Sequence, residues 1–213
     1  MSDNHSGTTS LQHWFSLLGF SVGNQQVAAD MWKGEAGGHV SASSRQWHRY
    51  IRRSEVFQDT PFSWPHFLPW LLWNYPRAFY IHVSRRDAEW YQSMVKHHLT
   101  HWLNIELEFD GDGSVIWSDS LRELADSKQY RGAPLYQSVS KRFGTSMEDP
   151  YNREILIANH RFQNSQARHL LGKKRSLLLD CDALSEEVTS RRIENFLDMP
   201  ATEIKIPQSN RHL

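Results

Sequence analysis

Phe79-Tyr80-Ile81-His82-Val83-Ser84-Arg85-Arg86-Asp87, followed by a helical pattern over 88–103, is the stretch that sets the fold. Its aromatic and β-branched residues run almost without polar interruption, as expected of a strand covered on both faces. The charged end predicts that Arg85 stands at the carboxyl edge of a sheet, where open α/β sheets bind their ligands. Ser93 follows eight residues after Arg85. A strand-turn-helix path can return its hydroxyl to the anion that Arg85 meets. A planar guanidinium and a neutral hydroxyl together suit phosphate oxygens.

Near the amino end, His5-Ser6-Gly7-Thr8-Thr9-Ser10-Leu11 runs into the helical spacing Leu11, Trp14, Phe15, Leu18. Gly7 lets backbone approach an anion. The free amides of a first helical turn and the hydroxyls of Ser6, Thr8 and Thr9 would then receive phosphate or sulfate. Ser and Thr serve equally as plain N-caps, so composition alone leaves both readings open. Further along, the spacing predicts a helix over 10–18 closed by Gly19, short strands at 20–22 and 55–58, and a Gly/Ser-rich loop at 34–44. Helices are expected at 46–53, 67–74, 120–127, 135–143, 152–171 and 186–197, a strand at 177–181, and a turn at Asp110-Gly111-Asp112-Gly113. Strands separated by helices imply an α/β fold with a parallel sheet, and 213 residues suit one domain spanning 1–213.

The two anion-binding segments together resemble the sulfotransferase superfamily. Its first loop reads Lys/Arg-Ser/Thr-Gly-Thr-Thr, and its second motif is a strand-end Arg with a Ser eight residues on. Arg85, Asp87, Trp90 and Ser93 fall where the family's "RDPxxWxxS" places its residues, with Arg86-Asp87 standing in for Asp-Pro. Phe143-Gly144-Thr145, the helix around His160 to Asn164, Ser176-Leu177-Leu178-Leu179-Asp180, and Phe196-Leu197-Asp198-Met199-Pro200 resemble the family's closing helix, last strand and "FLGLP" ending. Pro207-Gln208-Ser209-Asn210 is similar to a "P-x-x-N" tail in bacterial relatives.

The resemblance implies a three-layer P-loop NTPase-like fold, with helices on both faces of a central parallel sheet. It also implies transfer of a sulfuryl group from PAPS (3′-phosphoadenosine-5′-phosphosulfate) to a hydroxyl or amine, leaving PAP. Ser6, Gly7, Thr8, Thr9 and Ser10 would hold the 5′-phosphosulfate, and Arg85 and Ser93 the 3′-phosphate. Four residues precede the first loop where the family has a hydrophobic strand, so that strand is expected to be short or missing. His5 stands where the family has Lys or Arg. An imidazole with a pKa near ~6.5 is only partly cationic at neutral pH and stabilises a leaving oxygen less. An inactive or weakly nucleotide-binding protein of this fold is therefore the alternative.

The reaction needs a proton acceptor. Asp59 ends the strand before the Arg85 strand, at the place of the family's base, and a carboxylate can take that role; it can also cap the following turn. His66, on the same Pro-rich loop, is the reserve. Phe62 and Trp64 lie where an acceptor would enter, although the aromatic cluster with Trp70 and Trp73 serves core packing as well. A P-loop kinase would need Gly-x-x-x-x-Gly-Lys-Ser/Thr, whereas here Gly7 leads into Thr8 and the first Lys is Lys33.

Composition narrows the partners. Twenty-four Lys and Arg balance 24 Asp and Glu, which argues against a nucleic-acid binder without forbidding a local basic pocket; the resemblance implies a small-molecule or glycan hydroxyl acceptor. One cysteine, Cys181, permits a reducing compartment, and with no secretory signal and no apolar run long enough for an anchor the expected setting is cytoplasmic. His97, His98 and His101 have chelating spacing. However, Tyr91, Val95, His98, Leu99 and Trp102 form one apolar stripe, which makes His98 an interface residue, and no metal is expected. Lys173-Lys174-Arg175 reads as solvated surface that could also reach phosphates.

Overall fold

A computed structural model describes residues 8–33, 45–58, 61–62, 67–101, 106–116, 139, 143–146, 149–172, 175–180 and 185–207. The chain divides into two compact units, residues 1–85 with 163–212 and residues 86–162.

In the first unit, α1 (Thr8–Leu17) buries Trp14 and Phe15. Its end is fixed by Gly19 at φ +87°. The amide of Gly19 donates to the Ser16 carbonyl and that of Phe20 to the Phe15 carbonyl, and the Phe15 and Phe20 rings meet edge-on at 5.5 Å. These are the two hydrogen bonds and the apolar contact of a Schellman ending, which needs a residue that tolerates positive φ. The chain then reaches Val22, which forms one parallel bridge to Val56 where the sequence predicts two short strands. The Glu55 carboxylate receives the Ser21 amide and hydroxyl, both at 2.9 Å. Those bonds hold it below the usual carboxylate range.

The sheet proper is a parallel pair, β1 (Tyr80–Ser84) and β2 (Ser176–Asp180), in the register Tyr80↔Ser176 to Ser84↔Asp180. β1 is buried along nearly its whole length, as its apolar run predicts. Trp14, Phe15, Val83, Leu179 and Ile206 share one core with Ile193 of the helix Glu186–Leu197. The Trp14 indole donates to the Ile204 carbonyl at 2.7 Å, which ties α1 to the carboxyl-terminal segment. α1 is thereby laid on the β1–β2 pair.

The remainder of this unit packs on a second core. α2 (Gln25–Lys33), α3 (Arg45–Ile51) and α4 (Leu68–Asn74) gather Ala28, Trp47, Phe67, Trp70, Leu71 and Tyr80, among others, into an aromatic cluster. Pro69 sits in the first turn of α4, where a missing amide proton costs nothing.

In the second unit, α5 (Asp87–Lys96) continues into a π-helical turn, His97–His101. The predicted helix over 88–103 thus changes pitch at its histidines. Trp90, Tyr91, Met94, Val95 and Leu99 pack with Val115, Val139, Phe143, Tyr151 and Leu156. Phe109 and Val115 bridge across the predicted turn. That turn is closed by the Asp110 carboxylate, which accepts the Asp112 and Ser114 amides, and by Gly113 at φ +76°. α6 (Arg153–Leu171) begins in this unit. α7 (Glu186–Leu197), in the first unit, starts with Ser185, whose hydroxyl accepts the Val188 amide, and ends at Asp198 with φ +55°. The observed class is α/β: a small parallel sheet with helices. Among the described residues, no helix is long and apolar enough to cross a membrane.

Candidate active site

α1 begins at Thr8, two residues earlier than the apolar spacing alone predicts. Thr8, Thr9 and Ser10 are therefore the first turn, whose amides have no carbonyl partner within the helix. Thr8 is buried, Ser10 half-buried and Thr9 exposed. Three hydroxyl side chains thus stand at the positive end of a helix dipole.

At the carboxyl end of β1, Ser84 is buried at 5% exposure. Its hydroxyl donates to the Leu179 carbonyl of β2 at 3.1 Å and accepts from the Arg168 guanidinium at 3.1 Å. Arg85 follows immediately, half-buried. The strand end thus carries Arg85 in the chain and Arg168, which reaches it from α6. Arg168 escapes sequence reasoning because its relation to Ser84 spans 84 positions; an arginine in the last turn of a helix otherwise reads as a dipole partner.

Ser93 lies on α5, in the second unit, half-buried. The residues that start α5 form their own network. Asp87 accepts from Arg161 Nε at 2.7 Å and stands 4.0 Å from His160 Nε2. His160 is fully buried and lies flat on Trp90, with 4.2 Å between ring centroids and 8° between planes. Asn159 donates to the Phe143 carbonyl at 2.7 Å, so the Phe143-Gly144-Thr145 segment is tied to α6. His98 is buried, with Nδ1 3.4 Å from the Tyr151 hydroxyl, the interface position its stripe predicts. Among the described residues, no group of three or more His, Cys, Asp or Glu side chains gathers as metal ligands would.

Phe62 is buried at 6% exposure, stacked on Phe57 at 5.1 Å and edge-on to Phe67 at 5.4 Å. Gln58 donates through Nε2 to Gln12 of α1 and, at 3.4 Å, to Gln25 at the start of α2. The residue before Asp59 is thereby held by both helices. His5, Ser6, Gly7, Asp59, Trp64 and His66 lie outside the described residues. So do the loop at 34–44 and the predicted helix at 120–127. Tyr80 and Tyr91 are no rivals as proton acceptors, because burial pushes each phenol up to about 12.

α2 was not predicted. Its signal is Asn24, whose side-chain oxygen accepts the Val27 amide at 3.1 Å as an N-cap.

A sulfotransferase domain model matches residues 4–212, essentially the whole chain. No curated protein and no solved structure matches it. With that match, and with α1 sharing a core with the parallel strand pair through Trp14 and Phe15, the chain belongs to the sulfotransferase-domain family, whose chemistry is sulfuryl transfer.

Proposed function

We propose that the chain is a single-domain, PAPS-dependent sulfotransferase of the three-layer P-loop-like fold, acting on a small-molecule or glycan hydroxyl or amine. The observation that carries this reading is α1: its first turn holds three hydroxyl residues, and its Trp14 and Phe15 share a core with Val83 and Leu179 of the strand pair, after whose β1 comes Arg85. Such a set fits a donor with an anionic group at each end, because hydroxyls and helix amides suit a phosphosulfate while guanidinium groups suit a phosphate dianion. Ser6, Gly7, Thr8, Thr9 and Ser10 would hold the 5′-phosphosulfate, and Arg85 and Ser93 the 3′-phosphate, with Arg168 at Ser84 adding a second cation at the Arg85 end. PAPS supplies, when bound, an activated sulfuryl group whose departure leaves PAP.

The rest is done by the chain's own residues. Asp59, or His66 in reserve, takes the proton that the acceptor hydroxyl gives up. His5 adds positive charge beside the anion, more as the pH falls. Trp64 lines the acceptor's entrance, whereas the Phe62 ring is buried in the core. A cytoplasmic setting fits a chain with one cysteine.

Thermal-shift titration separates the classes. PAP raising the unfolding midpoint supports this reading, magnesium ATP alone doing so supports a kinase, and neither doing so supports an interaction module. That last reading draws on His5 standing in the family's cationic position. Given PAP binding, Asp59→Asn is expected to abolish transfer without weakening PAP, and His5→Lys to increase transfer.

A further inference from the structure

In the first unit, an open groove of about 540 Å³ lies between α2 and α3, with Val27, Asp30, Met31, Arg49, Tyr50 and Arg53 on its walls. That volume suits a small organic molecule. Arg49 and Arg53 stand four residues apart, both exposed, and no ion pair joins either guanidinium to a described carboxylate. Like charges at that spacing repel, so Arg49 and Arg53 make a cationic edge on the α3 wall that no salt bridge among the described residues neutralises. The floor is apolar, with Val27 45% exposed. On the α2 side the Asp30 carboxylate accepts from Gln26 at 2.9 Å and can accept further from hydroxyl groups.

Through α2 the groove adjoins Gln58. Gln25, two residues before Val27, shares the Gln58 amide, and Gln58 precedes Asp59 in the chain. Tyr50 is held beside this junction: its hydroxyl donates to the Asn24 carbonyl at 2.7 Å.

We infer that the groove between α2 and α3 is the acceptor subsite for a hydroxyl-bearing organic acid of glycoside type. Arg49 and Arg53 take its carboxylate, Asp30 takes its hydroxyls, and Val27 with Met31 carries its apolar part. This assignment of acceptor class rests on the sulfotransferase reading, whereas the preference for an anion does not.

The probes are 4-nitrophenyl β-glucuronide and 4-nitrophenyl β-glucoside, which differ only in a carboxylate against a hydroxymethyl group. Equilibrium dialysis against the full chain should show the glucuronide binding about tenfold tighter, the effect of hydrogen bonds to a charged group. In R49Q/R53Q the two should agree to within about twofold, with the thermal midpoint unmoved, and R49K/R53K should restore part of the preference. Equal affinities in the parent chain, no binding of the glucuronide below about 1 mM, or a preference that survives in R49Q/R53Q would each overturn the proposal. PAP titration of the same proteins reads the other question: unchanged PAP binding in R49Q/R53Q is expected. Failure of PAP to bind the parent chain removes the sulfotransferase reading and with it the acceptor role, while the carboxylate preference still decides whether the groove binds anions.

Discussion

Ser84→Ala tests the strand end on which the phosphate-binding reading depends. The Ser84 hydroxyl is buried, gives one hydrogen bond to the Leu179 carbonyl and receives one from Arg168. Removing a neutral buried bond costs about 1 kcal/mol. The Arg168 bond adds about 0.5 kcal/mol, because that guanidinium is exposed and water replaces much of what it loses. The expected loss is therefore about 1.5 kcal/mol, which for a chain of this length lowers the midpoint by roughly 3–6 °C. Urea unfolding of parent, Ser84→Ala, Arg168→Ala and the double variant forms a cycle, with a coupling of about 0.5 kcal/mol expected between the two positions. On the functional side, Ser84→Ala should weaken PAP binding severalfold by releasing Arg168, and Arg168→Ala should weaken it similarly. A Ser84→Ala chain as stable as the parent, within about 0.3 kcal/mol, with no coupling to Arg168, would refute the reasoning.

Trp14→Ala should cost about 3–5 kcal/mol in urea unfolding, since the indole is fully buried and its Nε1 carries the link to Ile204. Asp198→Gly should stabilise the chain by about 0.5–1 kcal/mol in the same assay: Asp198 holds φ +55° at a helix end where the resembling family has Gly, and its negative charge opposes the helix dipole. Glu194 is buried, which by itself raises its pKa. The Thr202 amide at 3.0 Å and Arg191 at 3.0 Å outweigh that and hold the carboxyl below its usual value. Its contribution is therefore fully present above the unfolded carboxylate pKa and fades as pH falls through the lower folded value. Glu194→Gln should accordingly destabilise at pH 7, and the gap to the parent should narrow in acid when urea midpoints are followed from pH 7 downward.

Local sequence determined those parts of the protein whose causes are local. The apolar run from Tyr80 to Val83 makes a buried strand wherever it is placed, because its residues favour extended backbone and need cover on both faces. Gly19 ends α1 because only a residue at ease with positive φ closes that turn, and Ser185 starts α7 by accepting an amide within one turn. The hydroxyl run before Leu11 and the Arg85–Ser93 spacing likewise carried the resemblance to the family whose domain model matches residues 4–212. Tertiary structure alone decided which groups gather around them. Arg168 reaches Ser84 across 84 positions, Gln58 joins α1 to α2, and His160 lies flat on Trp90. Each of these depends on packing between segments distant in the chain, where burial, rather than any residue's own preference, selects the partner. The groove between α2 and α3 is of the same kind: Arg49 and Arg53 read as ordinary surface charge until the fold sets Asp30 and Val27 opposite them.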